Sequence, residues 1–283
     1  MQEIEFKFQV PVKNRKVLQK AFTLLKAEPI HLAAQYFDTA DQTLAKHCIA
    51  IRRRQENGEW KQTFKAVNTA KALSRFELEF DIAPPETTTL DLDNYKKDYS
   101  AIYKKLKRAL GLPLPTLELL FETNIQRLRV LQNIGSSTVE IALDIGKIFK
   151  EQSSVDIFEI EFELKQGSIE DLIAFIQPWV QKYQLSLDTH SKSDYGLLAV
   201  RQQSSFSAQY QTPLVLNRSS SEVEALQSIV ANCLQHLLPN ASSIARQQYS
   251  SEHIHQARVA IRRLRTALKS FAAWSEATQP HWK

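Results

Sequence analysis

Over the first 200 residues, charged side chains recur two positions apart: Glu3, Glu5 and Lys7; Arg52 and Arg54; Lys61 and Lys65 around Thr63; Arg75, Glu77 and Glu79; Arg127 and Arg129; Glu140 and Asp144 around Ala142; Glu159, Glu161 and Glu163. On a β-strand, residues i and i+2 point to the same face. Seven successive strands would therefore each place charge on one side. Like charges at that spacing raise one another's cost of ionisation unless a cation or a facing guanidinium compensates. Carboxylate oxygens are hard ligands suited to Mg²⁺ or Mn²⁺, while Arg and Lys neutralise the oxygens of a polyphosphate. A nucleotide or an inorganic triphosphate fits both halves of such a face. For any one strand the bland alternative is a solvated polar face; same-sign Glu and Arg pairs repeated on seven strands favour a ligand.

Period-two alternation predicts strands over residues 2–10, 49–55, 59–66, 74–82, 118–131, 137–145 and 156–165. In the first of them Ile4, Phe6, Phe8 and Val10 form the apolar face. Helical spacing occupies residues 15–26 and 99–110, and Ser168 with Asp171 forms a capping box opening a helix over 168–183. The class is α+β. Helices covering the apolar faces from outside leave the charge within, in a sheet that is inverted relative to ordinary barrels. A closed sheet of about eight strands encloses a lumen wide enough for a small ligand. By the same parity Arg53 points outward.

With 283 residues, 43% hydrophobic and 24% charged, the chain has the composition of a globular protein. Cys48 and Cys233 lie far apart and lack zinc-site spacing, and six glycines leave no P-loop or dinucleotide fingerprint. The N-terminus lacks the basic-then-apolar pattern of a signal peptide, and no apolar run approaches the roughly 20 residues that span a bilayer, so a cytoplasmic protein without a membrane partner is expected. Residues 1–200 carry 27 basic and 27 acidic side chains; the net charge of +5 arises entirely after them. A neutral first unit with interleaved signs argues against a nucleic-acid partner.

The acid-free stretch 201–218 reads as a linker. Beyond it, residues 219–238 and 252–274 read as two helices joined at Pro239, Asn240 and a Ser-rich turn. Two helices totalling about 40 residues close no core of their own. On the second, His255, Arg258, Arg262, Arg265 and Lys269 form one stripe. Ile254, Ala257, Ile261, Leu264, Leu268 and Phe271 fill the adjoining arc, expected to pack.

The Glu3-x-Glu5-x-Lys7 segment resembles the ExExK signature of the CYTH superfamily, the triphosphate tunnel metalloenzymes. Arg52-Arg53-Arg54, Thr63-Phe-Lys65, Arg75-Phe-Glu77, Glu140 through Asp144 to Gly146, Glu159-x-Glu161-x-Glu163 and Ser191-Lys192 resemble its later motifs in the same order. The resemblance covers residues 1–200. It implies an eight-stranded antiparallel tunnel and hydrolysis or cyclisation of triphosphates. Carried over, Glu3, Glu5, Asp144, Glu159 and Glu161 resemble metal ligands for Mg²⁺ or Mn²⁺. Lys7, Arg52, Arg54, Lys65, Arg75, Arg127 and Lys192, with Arg129 on the same face by parity, resemble phosphate-binding side chains. Glu3, Glu5 and Lys7 are the expected catalytic set. Residues 219–283 resemble the first basic helices of CHAD domains, which implies a polyphosphate partner for His255, Arg258, Arg262, Arg265 and Lys269. The expected activity is metal-dependent hydrolysis of inorganic triphosphate to diphosphate and phosphate. An adenylate cyclase or a thiamine triphosphatase of the same superfamily is the alternative enzyme, and a non-catalytic polyphosphate-binding module the alternative of another class.

Overall fold

The computed structural model describes residues 4–67, 75–90, 92, 95, 96 and 99–274. Two compact units form: residues 1–185 with 191–203, and residues 186–190 with 204–283. In the first, the strands are β1 (Glu5–Gln9), β2 (Glu28–Asp38), β3 (Ile49–Glu56), β4 (Glu59–Val67), β5 (Arg75–Ile82), β6 (Glu118–Ile134), β7 (Ser137–Lys150) and β8 (Ser153–Gln166). Their helices are α1 (Val12–Leu24), α2 (Thr43–Lys46), α3 (Ser100–Leu110), α4 (Ile169–Tyr183) and α5 (Lys192–Val200). Among the described residues no helix is long and apolar enough to cross a membrane.

All ladders between these eight strands are antiparallel, in the order β5-β4-β3-β2-β6-β7-β8-β1. No ladder among the described residues joins β5 back to β1, so the sheet is not closed as the expected barrel would be.

Local chemistry explains the turns. Asn57 and Gly58 both adopt positive φ between β3 and β4, the pairing that a two-residue hairpin of right-handed twist requires. At Ser168 the hydroxyl oxygen accepts from the Asp171 N–H at 3.2 Å, while the Asp171 carboxylate accepts the Ser137 hydroxyl at 2.5 Å, so the expected capping box is spent half on the helix and half on the sheet. The outer apolar face of β3 and β4 is covered by a cluster including Ile51, Phe64, Tyr95, Ile102 and Leu106. Phe162 of β8 meets Phe175 and Trp179 of α4.

The inversion of charge inside and apolar outside fails on two strands. Sequence alternation missed β2, whose Ile30, Leu32, Ala34 and Tyr36 are buried while His31 is exposed. Opposite them on β6 stand Arg127, Ile125, Thr123 and Phe121 respectively. An apolar band thus crosses the charged face at its middle. Gly146 of β7 lies against β6 so closely that a Cβ would fall 2.0 Å from the Asn124 backbone oxygen. Gly146→Ala is expected to destabilise the fold by about 1–3 kcal/mol, because backbone cannot move aside as a side-chain tip can; an unchanged thermal midpoint would show that the two strands separate freely.

In the second unit, helices α6 (Glu222–Ala245) and α7 (Ser251–Ser270) are followed by a short 3-10 turn, Ala272–Trp274. The expected break at Pro239 is absent: α6 continues through it. Near the proline, which lacks an N–H, Asn240 Nδ2 donates to the His236 carbonyl at 2.7 Å and Ser242 Oγ to the Leu238 carbonyl at 2.9 Å. Part of the segment read as linker is anchored to this helix, since Asn232 Nδ2 donates to the Thr212 carbonyl and Asn240 bonds both backbone groups of Gln209. Between the two helices runs a polar seam in which Arg263 donates to Asn232 at 2.7 Å and His236 Nε2 meets Gln256 Oε1 at 2.8 Å. Ala257 and Leu264 pack as expected, whereas Ile254 and Ile261 are 42% and 44% exposed. The seam takes its contacts from the Gln256–Ala260–Arg263 side of α7, which turns those isoleucines outward.

Candidate metal and anion site

Antiparallel register decides which charges meet, because residues directly opposite share a face. One row crosses the sheet as Arg127, Asp144, Glu159 and Gln9; the next as Arg129, Ala142, Glu161 and Lys7; a third as Leu131, Glu140, Glu163 and Glu5. Arginines on β6 thus border a mostly acidic strip on β7 and β8, with Lys7 of β1 on its far side.

At the centre Asp144, Glu159 and Glu161 each offer an oxygen, all within 4.8 Å of one another. Three cations meet them. Arg127 Nε and Nη2 donate to the two Asp144 oxygens at 2.7 Å each, and Nη2 also reaches Glu161. Lys7 Nζ lies 3.2 Å from Glu159 Oε2. Lys192 Nζ contacts all three carboxylates: Asp144 Oδ2 at 2.7 Å, Glu161 Oε1 at 2.8 Å, and Glu159 Oε1. A helix end holds Lys192 there. Ser191 Oγ accepts from the Asp194 N–H at 3.2 Å, and the Asp194 carboxylate accepts the Ser191 N–H at 2.7 Å, so the capping box fixes the first turn of α5. Gly196, one turn on, lets α5 approach the Phe121 ring, where a Cβ would fall 2.2 Å away.

Burial opposes charge at Asp144, Glu161, Arg127 and Lys192, and the facing partners prevail. Burial raises Asp144 and Glu161, yet Lys192 and Arg127 beside them hold Asp144 below and Glu161 well below the ordinary carboxylate range. Burial lowers Lys192, while Asp144, Glu159 and Glu161 lift it well above an ordinary lysine. Asp144 and Glu161 are thereby held as carboxylates and Lys192 as an ammonium.

A second group of charges lies on β3, β4 and β5. Arg52 donates to Thr63 Oγ1 at 3.3 Å and to the Tyr36 hydroxyl at 3.4 Å, and stands 3.9 Å from Glu77. Arg54 Nη2 meets Glu79 and Glu56, each at 3.2 Å. Its Nε is buried with no hydrogen-bond partner among the described residues. Lys65 pairs with Glu77 at 2.5 Å and Lys61 with Glu79 at 3.7 Å. Burial raises the Tyr36 phenol, but Arg52 beside it, with Lys192 and Lys65 acting through space, brings it below the ordinary tyrosine value.

The remaining expected residues divide. Glu3 lies outside the described residues, and of Arg75 only the strand position, opposite Val67, is described. Glu5 is exposed opposite Glu163 and stands outside the trio of Asp144, Glu159 and Glu161, although it acts electrostatically on Arg127. Arg129 is at the margin, paired with Glu28 at 2.9 Å. Arg53 faces outward as expected, over the Phe37 ring and donating to the Thr87 carbonyl at 3.1 Å. In the second unit His255, Arg258, Arg262, Arg265 and Lys269 are all exposed along α7. Tyr36 was missed with its strand. Tyr36 and Phe121 stack at 4.5 Å, both buried.

The CYTH domain family matches residues 1–194. The chain belongs to the CYTH family. A CHAD domain matches residues 228–283 of this CYTH protein. An inorganic triphosphatase of Haemophilus influenzae is 31% identical to it over 204 residues, covering 70% of this chain and 55% of that protein, so the chain spans about half the length of that relative. Among solved structures, an adenylyl cyclase candidate from Hippeastrum, described as revealing a dominant triphosphatase activity, is 17% identical. It covers 72% of this chain and 97% of its own, with a TM-score of 0.51. At that identity the likeness concerns the fold.

Proposed function

We propose that this CYTH protein is a divalent-metal-dependent inorganic triphosphatase that cleaves tripolyphosphate to diphosphate and phosphate. The observation that carries the reading is the placement of three mutually adjacent carboxylates, Asp144, Glu159 and Glu161, on the face that also bears Arg52, Arg54 and Lys65. The oxygen-only donor set of that trio fits a hard dication such as Mg²⁺ or Mn²⁺. Once bound there, such an ion would polarise phosphoryl oxygens and offset the charge that develops on them.

The protein's own side chains supply the rest by position and charge. Arg52, Arg54 and Lys65 hold the phosphate groups distant from the trio. Arg127, Lys7 and Lys192 neutralise those close to it. Glu5, exposed beside the trio, is assigned to the attacking water together with Glu3. Inorganic chain is favoured over nucleotide because Tyr36 and Phe121 are buried against each other and present no open ring to a base. The Haemophilus influenzae relative's activity supports the same choice.

Phosphate release from tripolyphosphate, ATP and thiamine triphosphate, compared with Mg²⁺ and with Mn²⁺, tests the reading: tripolyphosphate is expected to be turned over fastest, and a preference for either other substrate would overturn the assignment. Arg54→Ala should weaken binding of the triphosphate by about 1.5–3 kcal/mol, the worth of a charge-assisted hydrogen bond. Calorimetry showing parental affinity would remove Arg54 from the anion contacts. The exposed stripe from His255 to Lys269 is assigned to long-chain polyphosphate, with an affinity that falls steeply with salt.

A further inference from the structure

Lys192 stands where the three carboxylates of the trio converge. Its Nζ touches all three carboxylates of the trio, two of them at 2.7 and 2.8 Å. It reaches them from the first turn of a capped helix, on a side chain 14% exposed. Three acids and three bases, Lys192, Arg127 and Lys7, make the cluster neutral before any ligand arrives. A dication arriving alone would add two positive charges beside these cations in a desolvated setting, and a triphosphate alone would meet cations already committed to carboxylates.

We infer that Lys192 is a built-in counter-ion of the trio, and that the species the protein takes up tightly is the metal–triphosphate chelate, not the metal or the triphosphate separately. Loading is then an exchange of ion pairs in which no covalent bond changes. The carboxylates give up the Lys192 ammonium for the metal, and the ammonium passes to a phosphate oxygen of the same incoming chelate. Arg127 can make the parallel exchange, because its Nη2 is already shared between Asp144 and Glu161. In this role Lys192 is a positioning residue: it keeps three like charges together while no metal is present. The inference rests on the proposed triphosphatase reading and names the form of its substrate.

The test is calorimetric titration of chelator-stripped full chain with Mn²⁺, alone and with imidotriphosphate, in which NH replaces the bridging oxygens. The parent should bind Mn²⁺ weakly by itself and on the order of tenfold or more tightly in the presence of the analogue. Lys192→Met should bind Mn²⁺ alone on the order of tenfold more tightly than the parent, with the gain from the analogue reduced. Lys192→Gln, which keeps a polar tip, serves as the second variant should methionine impair folding as judged by circular dichroism. If the parent hydrolyses tripolyphosphate with Mn²⁺ yet the folded variant binds Mn²⁺ no more tightly than the parent, the counter-ion role is wrong while the triphosphatase reading stands. A parent that neither hydrolyses tripolyphosphate nor binds Mn²⁺, with or without the analogue, overturns both.

Discussion

Asp144→Asn is expected to lower triphosphate hydrolysis at least about 100-fold, with the fold retained. Asp144 is fully buried, its oxygens accept two bonds from Arg127 at 2.7 Å, and Lys192 stands at the same distance. Asparagine keeps the shape but offers one acceptor oxygen and no charge. The trio would lose a third of its negative charge and one hard ligand in a single step. Phosphate release by the purified variant, with its circular dichroism spectrum compared with the parent's, checks this; activity within a few-fold of the parent would remove Asp144 from the reaction centre.

Arg127→Met should have the largest effect on stability, about 3–5 kcal/mol, because it strands a buried carboxylate whose partner is removed. Asp144 and Glu161 would then rely on the Lys192 ammonium, which they already share with Glu159. Methionine fills much of the volume, so the loss reports charge more than packing. Thermal melting should show a lowered midpoint that Mn²⁺ raises more in the variant than in the parent, since a dication can replace the missing guanidinium. A midpoint equal to the parent's, or one that Mn²⁺ leaves untouched in the variant, would contradict the assignment of Arg127 to the trio.

Period-two alternation was enough to read the face on which each charge lies, because parity is local. Glu159, Glu161 and Glu163 therefore stand where their spacing places them, as do Arg52 and Arg54, with Arg53 outward. Register is not local. That Arg127 faces Asp144, and Lys7 faces Glu161, depends on strands separated by many residues, and no single segment encodes it. Strand β2 escaped because its apolar residues Ile30, Leu32, Ala34 and Tyr36 carry no charge to mark a face, and Ala33 and Phe37 blur the alternation. The role of the Ser191–Asp194 capping box in aiming Lys192 was hidden behind the family dipeptide, though Ser-x-x-Asp is itself a legible helix start. In the second unit the wheel placed the basic stripe correctly but overestimated the packed arc, because polar Gln256 and Arg263 hold the helix pair together in place of Ile254 and Ile261.

The most direct measurement is tripolyphosphate hydrolysis by chelator-stripped protein as Mn²⁺ is returned in steps, run in parallel on Glu159→Gln. Glu159 is buried and touches both Lys7 and Lys192 without occupying either end of the sheet, so its substitution probes the trio alone. The stripped parent should be inactive, regain full turnover as Mn²⁺ saturates, and the variant should stay inactive at Mn²⁺ concentrations that saturate the parent. Full hydrolysis in the presence of chelator, or a variant that follows the parent's curve, would contradict a metal held by these carboxylates.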